Sequence, residues 1–559
     1  MARVTQAIAP FAPPAEARAY GDYLIARYAA MTNDPQGAAA HYADAMTSAP
    51  HVKGLAERAV FSALLAGDYK DAVKLARRSE AAGDESTLVR FTLGVESLAR
   101  GRDEDAAHYL AEEGFGTFNR SIARGMTAWR MQRSEGTGAA VAYLNSVMTG
   151  DPRLDSTSLY MTGLLHLSEG EDEDALATFE ALWASGARLA VGLDAHARLL
   201  AARGDRARAD ELLLKFRDEV GSNAALERLR AEIESGAVIE VHRPTVKEGA
   251  ALAIYIPAAA LSTRTQDDLS SVYFVLALAL DPDLQEARTL WASALEKTGR
   301  REEALAILSQ VPRPSPFYAT ARGQMAWLLR RDGRTEDALS VAGQALAEAP
   351  DRSLLVQLAD LFRSVGRNGE AEHILTDVIE SDADEGRKDW RLLYARGAVR
   401  EQLGRWPEAE TDLKAALELQ PESASVLNYL GYSYIDRGIR LEEGMELIRK
   451  ALALEPNSGF ITDSLGWAYF QLGRYEMATR YLERAVELEP GDATLNDHLG
   501  DAYWNVGRKL EAKFQWEQAL KLDVDDSDRE RIEVKLLKGP DAPPVVQAGA
   551  EQDPLPQRP

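Results

Sequence analysis

Seven residues in the last quarter of the chain have the types and spacing to do recognition chemistry. Asn428 and Tyr432 stand four apart, as do Asp463 and Trp467, and Asp497 and Asp501; Trp504 follows a turn further on. On a helix, residues four apart share a face. The set reads as a strip of acids, an amide and aromatic rings. Such a strip suits a partner that brings basic or amide groups and an apolar anchor, and its aspartates would repel a carboxylate. The competing reading is that the rings pack between helices and the acids are ordinary solvated surface. If the strip is a groove, reversing Asp463 and Asp501 to lysine is expected to abolish capture and leave helicity intact.

No arrangement points to catalysis. The chain has no G-x-x-x-x-G-K-[ST] phosphate loop, no G-x-S-x-G elbow and no H-E-x-x-H pair. None of the eight histidines, His41, His51, His108, His166, His196, His242, His373 and His498, pairs with another at helical ligand spacing. Each reads as a surface or packed histidine before a metal ligand. The carboxylates of Glu169–Asp174 read as a solvated turn before an acid–base pair. Cysteine is absent, which excludes disulfides, thiol catalysis and thiolate metal sites. No enzyme activity, cofactor or metal is expected.

The elements that must position the strip are written in glycine. Twelve glycines, Gly67, Gly101, Gly136, Gly170, Gly204, Gly299, Gly333, Gly366, Gly404, Gly438, Gly473 and Gly507, form a ladder with a step of about 34 residues. Asn33 and Thr265 fill two further rungs. Five residues after most rungs stands alanine: Ala38, Ala72, Ala106, Ala175, Ala209, Ala304, Ala338, Ala371, Ala409, Ala478 and Ala512. Val141 and Ser270 depart from this, and Gly444 comes one residue late. Glycine just past a helix accepts the left-handed conformation that closes it and reverses the chain. A small residue one turn on lets the next helix approach closely. Each unit is therefore a helix–turn–helix hairpin, and about fourteen such hairpins stack.

The period, turn and small residue resemble the tetratricopeptide repeat. The likeness is strongest in three successive L-G-x-x-Y blocks, Leu430–Tyr434, Leu465–Tyr469 and Leu499–Tyr503. Ala451, Ala485 and Ala519 follow in their second helices, and Pro421, Pro456 and Pro490 end successive units. The resemblance implies an all-α solenoid wound into a superhelix, with first helices lining its concave surface and protein partners bound there. The segments Asp389–Tyr394, Leu427–Tyr432 and Asn496–Trp504 further resemble bacterial envelope repeat proteins, among them lipoprotein adaptors of carboxyl-terminal processing proteases. That likeness implies an adaptor binding such a protease and its substrates. The alternatives are a regulatory or substrate-recruiting subunit of an enzyme on another chain, or a structural oligomer.

The expected organisation is a flexible lead (1–13), six hairpins plus a capping helix (14–235), an extended linker (236–244), and eight hairpins (245–523). A last capping helix (524–539) and a proline-rich disordered tail (540–559) follow. The 38-residue step before Gly404 places extra chain in a polar loop at 381–389. The net charge of −24, from 64 basic and 88 acidic residues, argues against nucleic acid and anionic lipid as partners. No run of 18 apolar residues is present, so no membrane span is expected. Residues 1–14 show no export signal. The cytoplasm is the default expectation, with the periplasm or outer membrane if the natural start lies upstream.

Overall fold

The computed structural model describes residues 14–540, except 51, 53, 84, 152–154, 263–267, 349–351, 385, 523 and 525. The expected lead, the Thr265 rung and the tail beyond Pro540 lie outside the described residues. Thirty helices and no strand occur among the described residues. They form fourteen hairpins, a lone helix Ala224–Glu234 and a terminal helix Asp526–Lys538. The fold is the all-α solenoid of stacked hairpins that the ladder implies.

The turn chemistry explains why the ladder exists. All twelve glycines have φ between +65° and +95°, and Asn33 stands at +58°. At Gly67 the backbone N–H of Asp68 reaches Ala63 O (2.9 Å), and Gly67 N–H reaches Leu64 O (2.9 Å). The same double closure recurs at Gly473, where Arg474 N–H bonds Tyr469 O and Gly473 N–H bonds Phe470 O. This pair of bonds satisfies carbonyls that a helix end otherwise leaves bare. Asn33 holds the same conformation because its short amide tolerates it.

All eleven ladder alanines are fully buried. The late glycine of the Gly438 hairpin shows why these positions are small. A Cβ built on Gly444 would meet Gly431 O at 2.9 Å, and one on Gly431 would meet Gly444 O at 2.8 Å. Two glycines here face each other backbone to backbone. Second helices start on side-chain caps where the sequence offers them: Asp34, Asp68 and Asp205 each accept an N–H three residues on.

The chain divides into two compact units, 1–357 and 358–559. The division falls inside the helix Arg352–Ser364. Within the first unit, helices from both sides of 236–244 pack together. A Cβ on Gly249 would collide with the Trp129 ring, and one on Gly125 with Ala253 Cβ at 2.6 Å. Tyr273 OH donates to Asn119, Asn33 Nδ2 to Thr298 O (3.1 Å), and Arg300 Nη2 to Leu65 O (2.8 Å). One apolar core joins residues from Ala26 to Ala338, while most core residues between Leu193 and Ile239 form a separate cluster. Residues 237–245 do run without regular structure, as their proline and β-branched residues suggest. They are tied down, however: Ile239 is buried, and Arg243 donates to Leu167 O and Asp172. Helix Val246–Ser262 opens on a reciprocal cap between Thr245 and Glu248.

In the second unit four hairpins, turning at Gly404, Gly438, Gly473 and Gly507, stack in order after the Gly366 hairpin. Part of the expected polar loop is helix, because Asn368–Asp384 runs on past 381 and buries Asp382.

Candidate functional site

The strip lies on the first helices of the last three complete hairpins, Ala424–Asp436, Gly459–Gln471 and Ala493–Asn505. Serine or aspartate caps each start: Ser423 accepts Val426 N–H, Ser458 accepts Ile461 N–H, and Asp492 accepts Leu495 N–H. The helix register so fixed places the predicted residues on neighbouring faces.

The aspartates are neither solvated surface nor open groove. Asp463, Asp497 and Asp501 are 5%, 1% and 5% exposed. Asp463 faces His498 Nδ1 at 3.0 Å. Asp497 accepts Lys535 Nζ through both oxygens (2.8 Å), and Arg531 stands 3.2 Å away. Asp501 accepts Lys535 Nζ (2.7 Å) and the indole N–H of Trp516 (3.2 Å). Lysine and arginine both come from the terminal helix of the same chain. Ile532, next to Arg531 and one turn before Lys535, is 1% exposed and belongs to the same apolar cluster as Trp467, Trp504 and Trp516.

This overturns one sequence expectation. Lysine at 463 and 501 would set like charges beside His498 and against Lys535 in buried surroundings, so that reversal breaks packing before it tests capture.

The three rings are all half-buried. Trp467 is half-buried, sandwiched between Phe470 (centroids 4.7 Å) and His498 (4.0 Å). Trp504 is half-buried beside Trp516 (5.6 Å), with Lys509 Nζ 4.8 Å from its ring centre and Gly539 against its edge. Tyr432 is half-buried; burial raises its hydroxyl pKa, and Asp436 and Asp463 add to the rise while Arg531 opposes it. Asn428 is half-buried, and its Oδ1 is buried without a hydrogen-bond partner among the described residues.

Electrostatics tie the strip into one network. Burial alone would lower the pKa of His498, but Asp463, with Asp497 and Asp501 behind it, holds it above its ordinary value. Burial raises the carboxyl of Asp501, with Lys535 opposing and Asp497 adding to the rise. Sequence reasoning missed His498, Arg531, Lys535 and Trp516 as members. A signal was present: Arg531 and Lys535 stand four apart, as do Ile532 and Leu536. That is the basic-plus-apolar face the acids call for.

Elsewhere, Glu171 faces His166 Nδ1 (2.6 Å) and Asp172 holds Arg243, so the acids of Glu169–Asp174 serve a turn and its packing. No helix among the described residues is long and apolar enough to cross a membrane.

Models of the tetratricopeptide repeat match residues 276–352, 356–413, 394–459 and 463–492. The matched hairpins, all after residue 275, are similar to tetratricopeptide repeats. A TPR repeat-containing protein of Pseudomonas aeruginosa is 31% identical over 139 residues, which is 25% of this chain and 23% of the relative. The chain thus matches about a quarter of that relative's length. A tetratricopeptide repeat protein of Parabacteroides merdae aligns with a TM-score of 0.40 at 18% identity, covering 45% of this chain and 98% of its own. The APC/C hetero-tetramer Cut9-Hcn1 aligns with a TM-score of 0.40 at 17% identity, covering 86% and 95%. Both scores are below 0.5, so neither neighbour says what this chain binds. Tetratricopeptide repeats imply a scaffold for protein–protein interaction.

Proposed function

We propose that residues 358–559 capture a protein partner on the strip from Asn428 to Trp504, in competition with the chain's own terminal helix. The observation that carries this is the seating of Lys535 on Asp497 and Asp501. The acids hold a basic, aliphatic helix, which is the chemistry a partner would need to offer. Such a segment would bring two cations four residues apart, flanked by branched aliphatic side chains. Amphipathic helices seated in grooves are read through anchors at this spacing.

The finer reading, an adaptor bringing substrates to a carboxyl-terminal processing protease of the envelope, rests on the motif resemblance. It expects such a protease among the retained proteins.

The test compares three full-length chains as bait in one extract: the native chain, Lys535→Gln, and Lys535→Gln with Tyr432→Ala. Proteins retained by Lys535→Gln and lost again with Tyr432→Ala, at equal helicity, support the reading. Identical retention by all three contradicts it.

A further inference from the structure

The first unit contains a polar cavity of about 290 Å³ that shares no residue with the strip. Five parts of the chain supply its polar groups. Tyr160 comes from helix Ser156–Ser168, and Asp194 and Arg198 from Ala190–Ala202. His242 comes from the 237–245 segment, and Glu248 and Tyr255 from Val246–Ser262. Asp281 and Glu286 close it at the start of Gln285–Lys297.

Its charges do not balance. Asp194 accepts Arg198 Nε (2.9 Å), and Glu248 faces His242 Nε2 at 3.3 Å. Among the described residues Asp281 accepts only the backbone N–H of Asp283 (2.9 Å), with His242 and Arg288 in its wider field. Glu286 makes no ion pair among the described residues; its one polar contact is its own backbone N–H. Burial, first, and then Asp194 and Asp281 push the carboxyl of Glu286 up to about 7. Burial also raises Asp194 and Asp281.

A cluster of acids is often only surface. Here two buried tyrosines say otherwise. Tyr160 is 2% exposed and Tyr255 is 9% exposed. Both line the cavity, and neither hydroxyl has a hydrogen-bond partner among the described residues. Both hydroxyls sit in the field of Glu286, and that of Tyr160 also in the field of Asp194. Each ring is buried but its hydroxyl opens on the cavity, so whatever fills the cavity must satisfy it. The missing complement is a donor-rich cation: it pairs with surplus carboxylates, donates to free phenol oxygens, and lies against aromatic faces.

We infer that this cavity binds an alkyl ammonium or alkyl guanidinium group. The cationic head sits among Glu286, Asp281 and Asp194, and the stem lies between Tyr160 and Tyr255. A basic side chain of a protein and a free diamine or guanidine share this chemistry.

Calorimetric titration of the full-length chain tests it with three probes: agmatine, lysine blocked at both ends as the N-acetyl methylamide, and neutral 1,5-pentanediol. Binding of agmatine or blocked lysine, but not of the diol, is expected. Blocked lysine alone points to a protein source, and agmatine alone to a free small molecule. Glu286→Gln removes a charge that lacks a partner and should fold at least as well. It is expected to weaken cation binding about tenfold or more, the worth of a charge-assisted hydrogen bond. Tyr160→Phe should weaken it less, at unchanged thermal stability. No binding by either cation, equal binding of the diol, or unchanged affinity in Glu286→Gln overturns the assignment.

Discussion

Replacing Lys535 by glutamine should release the terminal helix without unfolding the hairpins beneath it. Lys535 is 7% exposed and is the only cation within reach of Asp501 among the described residues. Its loss leaves Asp501 with the Trp516 N–H, and Asp497 with the half-exposed Arg531. Removing one partner of a buried ion pair costs about 3–5 kcal/mol. Glutamine returns one hydrogen bond of about 1 kcal/mol, so about 2–4 kcal/mol is lost. Against this, the terminal helix is otherwise held by Ile532, whose burial stabilises docking by about 1.5–3 kcal/mol, with Leu536 partly buried beside it and Arg529 donating to Leu520 O. The two figures are comparable, so detachment relieves the aspartates at little net cost. A helix of 13 residues is marginal alone in water and should melt when it leaves. Hydrogen exchange over 526–538 should rise to the rate of an unstructured peptide. Trp504 emission should shift to the red as Gly539 leaves its ring. Native protection over 526–538 in Lys535→Gln, with less than about 1 kcal/mol lost, would mean that Lys535 does not hold the helix in place.

Three further outcomes follow from the same structure. Glu286 titrates near 7 in the fold against 4.5 in a free chain, so stability of the first unit should fall as pH rises from about 4.5 to 7. Glu286→Gln should abolish that fall and gain about 1–3 kcal/mol at pH 8 but nothing at pH 4, read by denaturant unfolding. His498 is held above its ordinary 6.5, so its contribution is complete below 6.5 and lost as pH rises through the folded value; His498→Gln should flatten the alkaline side of the second unit's melting profile. Gly431→Leu drives a side chain into Gly444 O and Ile448, and should cost about 3 kcal/mol or more, seen as a lowered Tm.

What could be read from sequence was what local chemistry writes. Gly67 and its counterparts mark hairpin turns because a positive φ is a property of a few neighbouring residues. Asn33 was legible as a rung because asparagine shares that freedom. The alanines five residues on were legible because each sits against its own hairpin partner. The return of Val246–Ser262 onto Thr117–Glu135 was not, because no local pattern records that Gly249 meets Trp129. Residues 236–244 read as a linker for the same reason: their composition shows extended backbone but not the anchoring of Ile239 and Arg243. At the strip, spacing placed the aspartates on shared faces, but their burial depends on Lys535, which is 34 residues from Asp501. The tyrosine–carboxylate cavity was illegible, since its parts are drawn from residues 160 to 286 and meet only in three dimensions.

On the proposed function, the acids of the second unit recognise a basic, aliphatic helix, and the chain's own helix already occupies them. A labelled synthetic peptide with the sequence of residues 526–538, titrated into full-length Lys535→Gln and native chains by fluorescence anisotropy, tests this most directly. Saturable binding to Lys535→Gln, at least tenfold weaker binding to the native chain, and none by a peptide with glutamine at both basic positions corresponding to Arg531 and Lys535 are the predicted results. Equal affinity for both chains, or binding that ignores the peptide's charges, would contradict the account.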